Sequence, residues 1–205
     1  MVSILIAICG RQMDVDVAKG LADASYRLTR YGELCINYEI KTFSRHGLER
    51  ERNTAVRYLL SSKHDYLFFL DTDIILQSDT LIKLLDSIEE KKFIISAMYV
   101  IDTLFQPAVC AKVSKDKWRW ISLIELLKKG KTGLVEVDGV GAGCLLIDRI
   151  VLEDIQYPWF KFSENYGEDL YFCSKAKRAG YKSYMNMDAR VMHIKPRKLF
   201  LSPTF

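Results

Sequence analysis

The sequence predicts an α/β fold in which a mixed, mostly parallel central sheet is flanked by helices. Short apolar runs alternate with amphipathic helical patterns along most of the chain, which is what βαβ units produce. The run Asp65-Tyr-Leu-Phe-Phe-Leu70 is almost wholly apolar, as a central strand covered on both faces must be. The 205 residues are 49% hydrophobic and 27% charged, with only 11 Gly and 4 Pro. That is enough chain to bury a core, and it excludes disorder, a collagen-like repeat and a small disulfide scaffold.

Residues 2–8 read as a first buried strand, because the apolar start lacks the basic segment and cleavage site of a secretory signal. An amphipathic helix is expected over 13–30, with Val17, Leu21, Ala24 and Leu28 at helical spacing. A strand over 34–40 and a helix from Glu49 to Leu60 follow. After the strand at 65–70, Ser78 or Asp79 can cap a helix to about Glu90, with Leu81, Leu84, Leu85 and Ile88 inward. Phe93–Val100 and Gln106–Val113 read as strands. Residues 114–133, charged and Trp-bearing with a helical piece at Ile121–Lys129, read as an insertion over the sheet. Leu134–Val137 and Cys144–Ile147 are strands around a glycine cluster. Gly167 precedes a helix to about Ala179, which Gly180 ends as its C′ residue. Tyr181–Asn186 and Val191–Ile194 close the pattern, ahead of a basic, aromatic tail from Lys195 to Phe205. The whole of 1–205 reads as one domain.

The net charge of +4 is mild and evenly spread. It permits an anionic ligand and argues against a nucleic-acid partner. Five cysteines, at 9, 35, 110, 144 and 173, stand singly without a CxxC pair, so neither a zinc ribbon nor a thioredoxin-like site is indicated. They read as buried thiols of a cytoplasmic protein. No apolar run approaches the ~20 residues that span a bilayer.

The sharpest chemical feature is Asp71-Thr72-Asp73, directly after the strand Tyr66–Leu70. Carboxylates at a strand's C-terminal end face the crevice where open α/β sheets bind ligands, and they suit Mg²⁺ or Mn²⁺ bridging a ligand's phosphates. An acidic pair can also simply open a turn. Gly139, Gly141 and Gly143 do not form a dinucleotide fingerprint, because they precede a strand and not a helix. They are expected to let the backbone approach a ligand closely or to keep the loop flexible.

Downstream of Asp73 come "VDGVGAGCLLIDR" at 137–149, Trp159-Phe160, "GEDLYFCSKAKRAGY" at 167–181 and "VMHI" at 191–194, with Arg52-Asn53 and "FFLDTDI" (68–74) upstream. In this order and spacing the chain resembles the GT-A glycosyltransferases, especially the small family-2-like enzymes that use nucleotide-sugar donors. The resemblance implies a metal-dependent transfer of a sugar from a UDP- or GDP-sugar to a hydroxyl of a glycan, protein or lipid. It places Mn²⁺ or Mg²⁺ on Asp71, Asp73 and His193, with Asp73 the direct ligand and Asp71 acting also through water or the ribose. An imidazole ligand tilts the choice towards Mn²⁺.

Glu168-Asp169 matches the family's acidic pair. Asp169 is expected to be the base that takes the acceptor's proton in an inverting reaction, with Glu168 positioning acceptor or donor. Acidic residues in a first helical turn are also favoured by the dipole alone. The donor is expected on Arg11, Arg52, Asn53, Asp71, Thr72 and Lys195, and the sugar or acceptor near Gly141, Ala142, Gly143 and Trp159. Trp159 and Phe160 read equally as core aromatics, and Arg11 and Arg52 as solvated surface. The tail from Lys195 can fold over the diphosphate or touch an anionic membrane surface.

Two departures from the family stand out. Cys9-Gly-Arg-Gln replaces a proline-containing start, and Lys41-Thr-Phe-Ser-Arg45 offers no acidic residue where relatives read uracil, so the nucleotide stays open. Two rival readings remain. A nucleotidyltransferase needs a glycine-rich basic loop after the first strand, where only Gly10 stands. A non-catalytic nucleotide- or glycan-binding module would keep the fold alone.

Overall fold

Val2–Cys9 form β1, whose side chains enter two different cores by simple alternation. Leu5, Ala7 and Cys9 belong to one apolar cluster and Ile4, Ile6 and Ile8 to the other. Such a strand must have helices on both sides. This computed structural model describes residues 2–30, 36–44, 46–88, 93–101, 105–114, 117–130 and 132–194. Cys35, Lys195 and the rest of the tail, the expected helix end near Glu90 and the expected strand start at 34 lie outside the described residues.

The helix α1 (Val15–Leu28) follows, capped by the Asp14 side chain on the Asp16 amide. It leads to β2 (Ile36–Phe43), which pairs parallel to β1. The helix α2 (Leu48–Ser61) then returns the chain to β3 (Tyr66–Asp71), parallel to β1 on its other side. A two-residue strand β4 (Ile74–Ile75), the helix α3 (Thr80–Asp86) and β5 (Ile94–Met98) come next. The strand expected at Gln106–Val113 is β6 (Val109–Ser114), and the expected insertion at 114–133 supplies β7 (Lys117–Trp120), antiparallel to β6, and α4 (Leu123–Lys129) with a Ser122–Glu125 capping box.

Then come β8 (Leu134–Val137), β9 (Gly139–Val140), β10 (Cys144–Asp148) and α5 (Arg149–Asp154). The helix α6 (Glu168–Arg178), β11 (Ser183–Arg190) and β12 (Met192–His193) complete the described chain. Seven strands make one sheet in the order β2-β1-β3-β10-β5-β11-β8. Strand β10 runs antiparallel to both neighbours and β8 antiparallel to β11, so the sheet is mixed. The predicted class is therefore the observed one.

Helices α1 and α3 cover one face of the sheet, and α2, α5 and α6 the other. The four residues Leu67–Leu70 are fully buried between them. Each such side chain contributes roughly 1.5–3 kcal/mol relative to an exposed one, which anchors β3 firmly at the crevice. Arg149 was legible only as part of a motif. Its guanidinium donates to the carbonyls of Leu59, Leu60, Ser62 and His64 at 2.9–3.1 Å, satisfying the carbonyls left open at the C-terminal end of α2. No helix among the described residues is long and apolar enough to cross a membrane.

Candidate active site

The chain places β2 on one side of β1 and β3 on the other. The sheet's order therefore reverses between β1 and β3, and the crevice of an open α/β sheet opens there, beyond the C-terminal strand ends. Cys9 and Asp71 are register partners at that edge, so Asp71-Thr72-Asp73 leaves the sheet directly into it. The backbone of Gly10, at φ +133°, passes so close that a Cβ there would stand 2.6 Å from Thr72 Oγ1. A glycine is required on both counts. Arg11 is exposed beside it.

Beneath this edge lies Arg52 of α2, only 1% exposed. Its Nη2 donates to both Asp71 oxygens at 3.0 Å, its Nε to Glu168 Oε1 at 3.0 Å and its Nη1 to the Ala142 carbonyl at 3.2 Å. Burial pushes the Asp71 carboxyl above its ordinary value, and Arg52 opposes that rise. The expected contact of Arg52 with a nucleotide is thus corrected: the guanidinium is enclosed and binds protein groups from three other segments. Asn53 is corrected in the same way. Both its amide hydrogens go to the Glu49 and Phe160 carbonyls, and its oxygen accepts from the Trp159 and Phe160 amides. Trp159 belongs to the core, with Nε1 donating to the Leu152 and Ile155 carbonyls, and so offers no platform to a sugar.

At the mouth, His193 of β12 is brought to the crevice by the pairing of β12 with β4, which sets it opposite Ile74. Its Nδ1 lies 3.0 Å from the Val100 carbonyl and its Nε2 3.1 Å from Asp73 Oδ2. A carbonyl only accepts, so Nδ1 carries the hydrogen. An imidazole nitrogen and a carboxylate side by side are ligand types that a divalent cation takes, and a backbone carbonyl on the far nitrogen is how metal-binding histidines are held. Among the described residues no cluster of three or more His, Cys, Asp and Glu encloses a metal. Asp73 and His193 would supply two protein donors to such a cation, leaving coordination positions for ligand phosphates and water. A cavity of about 310 Å³ adjoins the pair, lined by Gln12, Met13, Asp14, Thr72, Asp73 and Ile194.

On the opposite flank Glu168 and Asp169 open α6. Asp169 Oδ1 accepts from the Leu170 amide at 2.7 Å. Burial, reinforced by neighbouring Glu168, pushes the Asp169 carboxyl up to about 6. It borders a cavity of about 360 Å³ that also meets Trp118, Arg119, Trp120, Asn165 and Tyr166. Between the two flanks stands Tyr99, 6% exposed, a residue that sequence reasoning passed over. Its ring meets His193 edge-on at 5.7 Å, and its hydroxyl accepts from the Gly143 amide at 3.2 Å. The carboxylates of Asp71 and Asp169 both act on it, although burial is the larger cause of its raised pKa. Its position one residue beyond the C-terminal end of β5 was the available signal. The glycines do serve a close approach, but to protein groups. A Cβ on Gly141 would stand 2.3 Å from the Tyr99 hydroxyl, and one on Gly143 3.2 Å from Asp71 Oδ2.

No protein-family model and no curated protein matches the sequence. Solved structures do. A197 from STIV superposes with a TM-score of 0.64 at 20% identity, over 98% of each chain. GalNAc-T7, solved with UDP, GalNAc and Mn²⁺, gives 0.59 at 14% identity over 96% of this chain and 44% of its own. A Drosophila β1,4-galactosyltransferase 7 mutant, solved with manganese, UDP-Gal and xylobiose, gives 0.56 at 15% over 100% and 77%. The fold is that of the GT-A glycosyltransferases. The chain spans less than half the length of GalNAc-T7, and at these identities the likeness is one of architecture.

Proposed function

We propose that this protein is a metal-dependent glycosyltransferase. It moves a sugar from a nucleotide-diphosphate donor, a UDP- or GDP-sugar, to an acceptor hydroxyl with inversion. The observation that carries the reading is the two-sided crevice around Tyr99. A cation-compatible Asp73–His193 pair lies on one side, and a half-buried carboxylate facing a cavity lies on the other. The GT-A neighbours solved with UDP or UDP-sugars and manganese support it.

Asp73 and His193 would hold Mn²⁺ or Mg²⁺, which as a Lewis acid offsets the charge growing on a leaving diphosphate. The chain's own groups do the rest. Asp71, pinned by Arg52, keeps a fixed negative edge beside the donor, and exposed Arg11 stands at the same edge for the diphosphate. Thr72, next to Gly10, lines the donor cavity. Asp169 takes the proton at Oδ2, since Oδ1 is occupied by the Leu170 amide. The acceptor oxygen bonds to the anomeric carbon, the bond from that carbon to the diphosphate breaks, and the diphosphate leaves with the electron pair. A carboxyl raised to about 6 is still ionised at neutral pH and is a stronger base than an ordinary aspartate. Glu168, held by Arg52, orients the first turn of α6.

The test is a thermal-shift panel of UDP- and GDP-sugars with Mn²⁺ and with chelator, together with sugar release in the absence of acceptor. The expected result is stabilisation that needs both metal and nucleotide, of about 2–3 kcal/mol at a hundredfold excess over Kd, together with slow hydrolysis. A response indifferent to metal, or no response, overturns the proposal. Stabilisation without any turnover would mark a binding module instead.

A further inference from the structure

The geometry points to a saccharide as the acceptor, seated in the cleft between β7 and the start of α6; this rests on the transferase reading above. Trp118 and Trp120 are two residues apart on β7 and so project to the same side of the strand. Cys110 is the register partner of Trp120 and lines the same cavity. Tyr166 forms the facing wall and meets the Trp118 indole edge-on at 6.2 Å.

The platform is built into the fold. A Cβ on Gly139 would stand 2.8 Å from Trp118 Cζ3, so the indole occupies space that only a glycine leaves open. Lys112 lies over the other part of the indole at 5.4 Å. The Trp118 Nε1–H is shielded from solvent and has no hydrogen-bond partner among the described residues, where native proteins leave few such donors unpaired. Trp120, by contrast, is 51% exposed, an unusual position for so large an apolar surface.

These rings alternate with polar groups. Arg119, Asn165, Glu168 and Asp169 all border the same cleft of about 360 Å³, which lies in the range of small-ligand sites. Flat aromatic plates with polar groups around their edges match a sugar ring, whose C–H face is apolar and whose rim carries hydroxyls. A lipid tail would meet four polar side chains and lose their hydration without replacing it. A nucleotide would bring its phosphates against two carboxylates. The saccharide also delivers what the reaction needs, a hydroxyl held beside Asp169.

The experiment is a printed glycan array probed with the full chain in chelator, followed by tryptophan-fluorescence titration of the strongest hit. Binding in the absence of metal and nucleotide is expected. Trp120→Ala should weaken it about tenfold, with Trp120→Phe in between and thermal melts showing both variants folded. An array without hits, or a hit that Trp120→Ala leaves unchanged, overturns the saccharide cleft. The nucleotide–metal thermal shift read on the same sample separates the two ideas. Glycan binding without that shift keeps the saccharide cleft and removes the transferase reading, whereas the shift without glycan binding does the reverse.

Discussion

One nitrogen of Arg52 bridges both carboxylate oxygens of Asp71 at 3.0 Å, in a site where the arginine is 2% exposed by side chain. The same guanidinium holds Glu168 from the far side of the sequence. Arg52→Met therefore leaves two shielded carboxylates without their cation. Breaking a buried pair this way costs about 3–5 kcal/mol, and urea unfolding should show a loss of that size. Arg52→Lys should recover only part of it, because an ammonium cannot span Asp71, Glu168 and the Ala142 carbonyl together.

The proposed role of Asp169 makes activity depend on pH. Burial holds its carboxyl at about 6, and the ionised form would be the base. kcat/KM should then fall about tenfold per unit below pH 6 and level off above it. The sign for stability is opposite. The folded value lies above the ordinary one, so the folded state binds the extra proton between about pH 4 and 6, and stability declines as pH rises through that window. Asp169→Asn should abolish transfer, keep metal-dependent nucleotide binding, and unfold on the order of 1–3 kcal/mol harder than the parent at pH 7. Turnover equal to the parent's would remove Asp169 as the base.

The Asp73–His193 pair predicts a selective loss. His193→Ala and Asp73→Asn should each abolish the Mn²⁺-dependent part of nucleotide binding in calorimetric titration, while metal-free melting changes by less than about 1–2 kcal/mol. Equal metal dependence in the variants would place the cation elsewhere.

Tyr99 and Gly141 are coupled through space. Gly141→Ala forces the phenol from its seat, for about 1–3 kcal/mol. Tyr99→Phe leaves the Gly143 amide unpaired, for a similar loss. With the hydroxyl gone the added methyl loses its worst clash and keeps only tight contacts of 3.2 Å, so the double variant should be more stable than the sum of the two losses indicates. Strict additivity in denaturant titrations would refute the contact.

The central strands were readable because burial on both faces writes a continuous apolar run, as at Leu67–Leu70. The helices α1, α2 and α3 were readable by their period, and α6 by the glycines at its two ends. Helix α5, with six residues, is too short to show a helical period, and β4, β9 and β12 have two residues each. Strand β7, Lys-Trp-Arg-Trp, carries charges because it lies outside the main sheet. At the site, a residue's type was legible and its partner was not. Arg52 meets groups 19 and 116 positions away, and nothing local distinguishes a donor-facing arginine from an enclosed one. The glycine cluster signalled close approach correctly, but Tyr99 and not a ligand does the approaching. Trp159 and Trp120 are equally tryptophan in the sequence, and only packing tells the core residue from the exposed one.

Strand β10 runs against its neighbours, so its first residues follow the crevice and its last reach the opposite rim of the sheet. At the crevice end Arg52 of α2 grips the Ala142 carbonyl, and at the other end Arg149 grips the last carbonyls of α2. Helix α2 and the β10 segment are thereby tied at both ends into a closed rectangle, through the carbonyl just before the strand and the arginine that opens α5 directly after it. A rectangle so braced resists shear, and Asp71 is bolted to its upper corner. Any closing motion that the proposed reaction needs then falls to the β6–β7 hairpin, hinged against a floor that stays still.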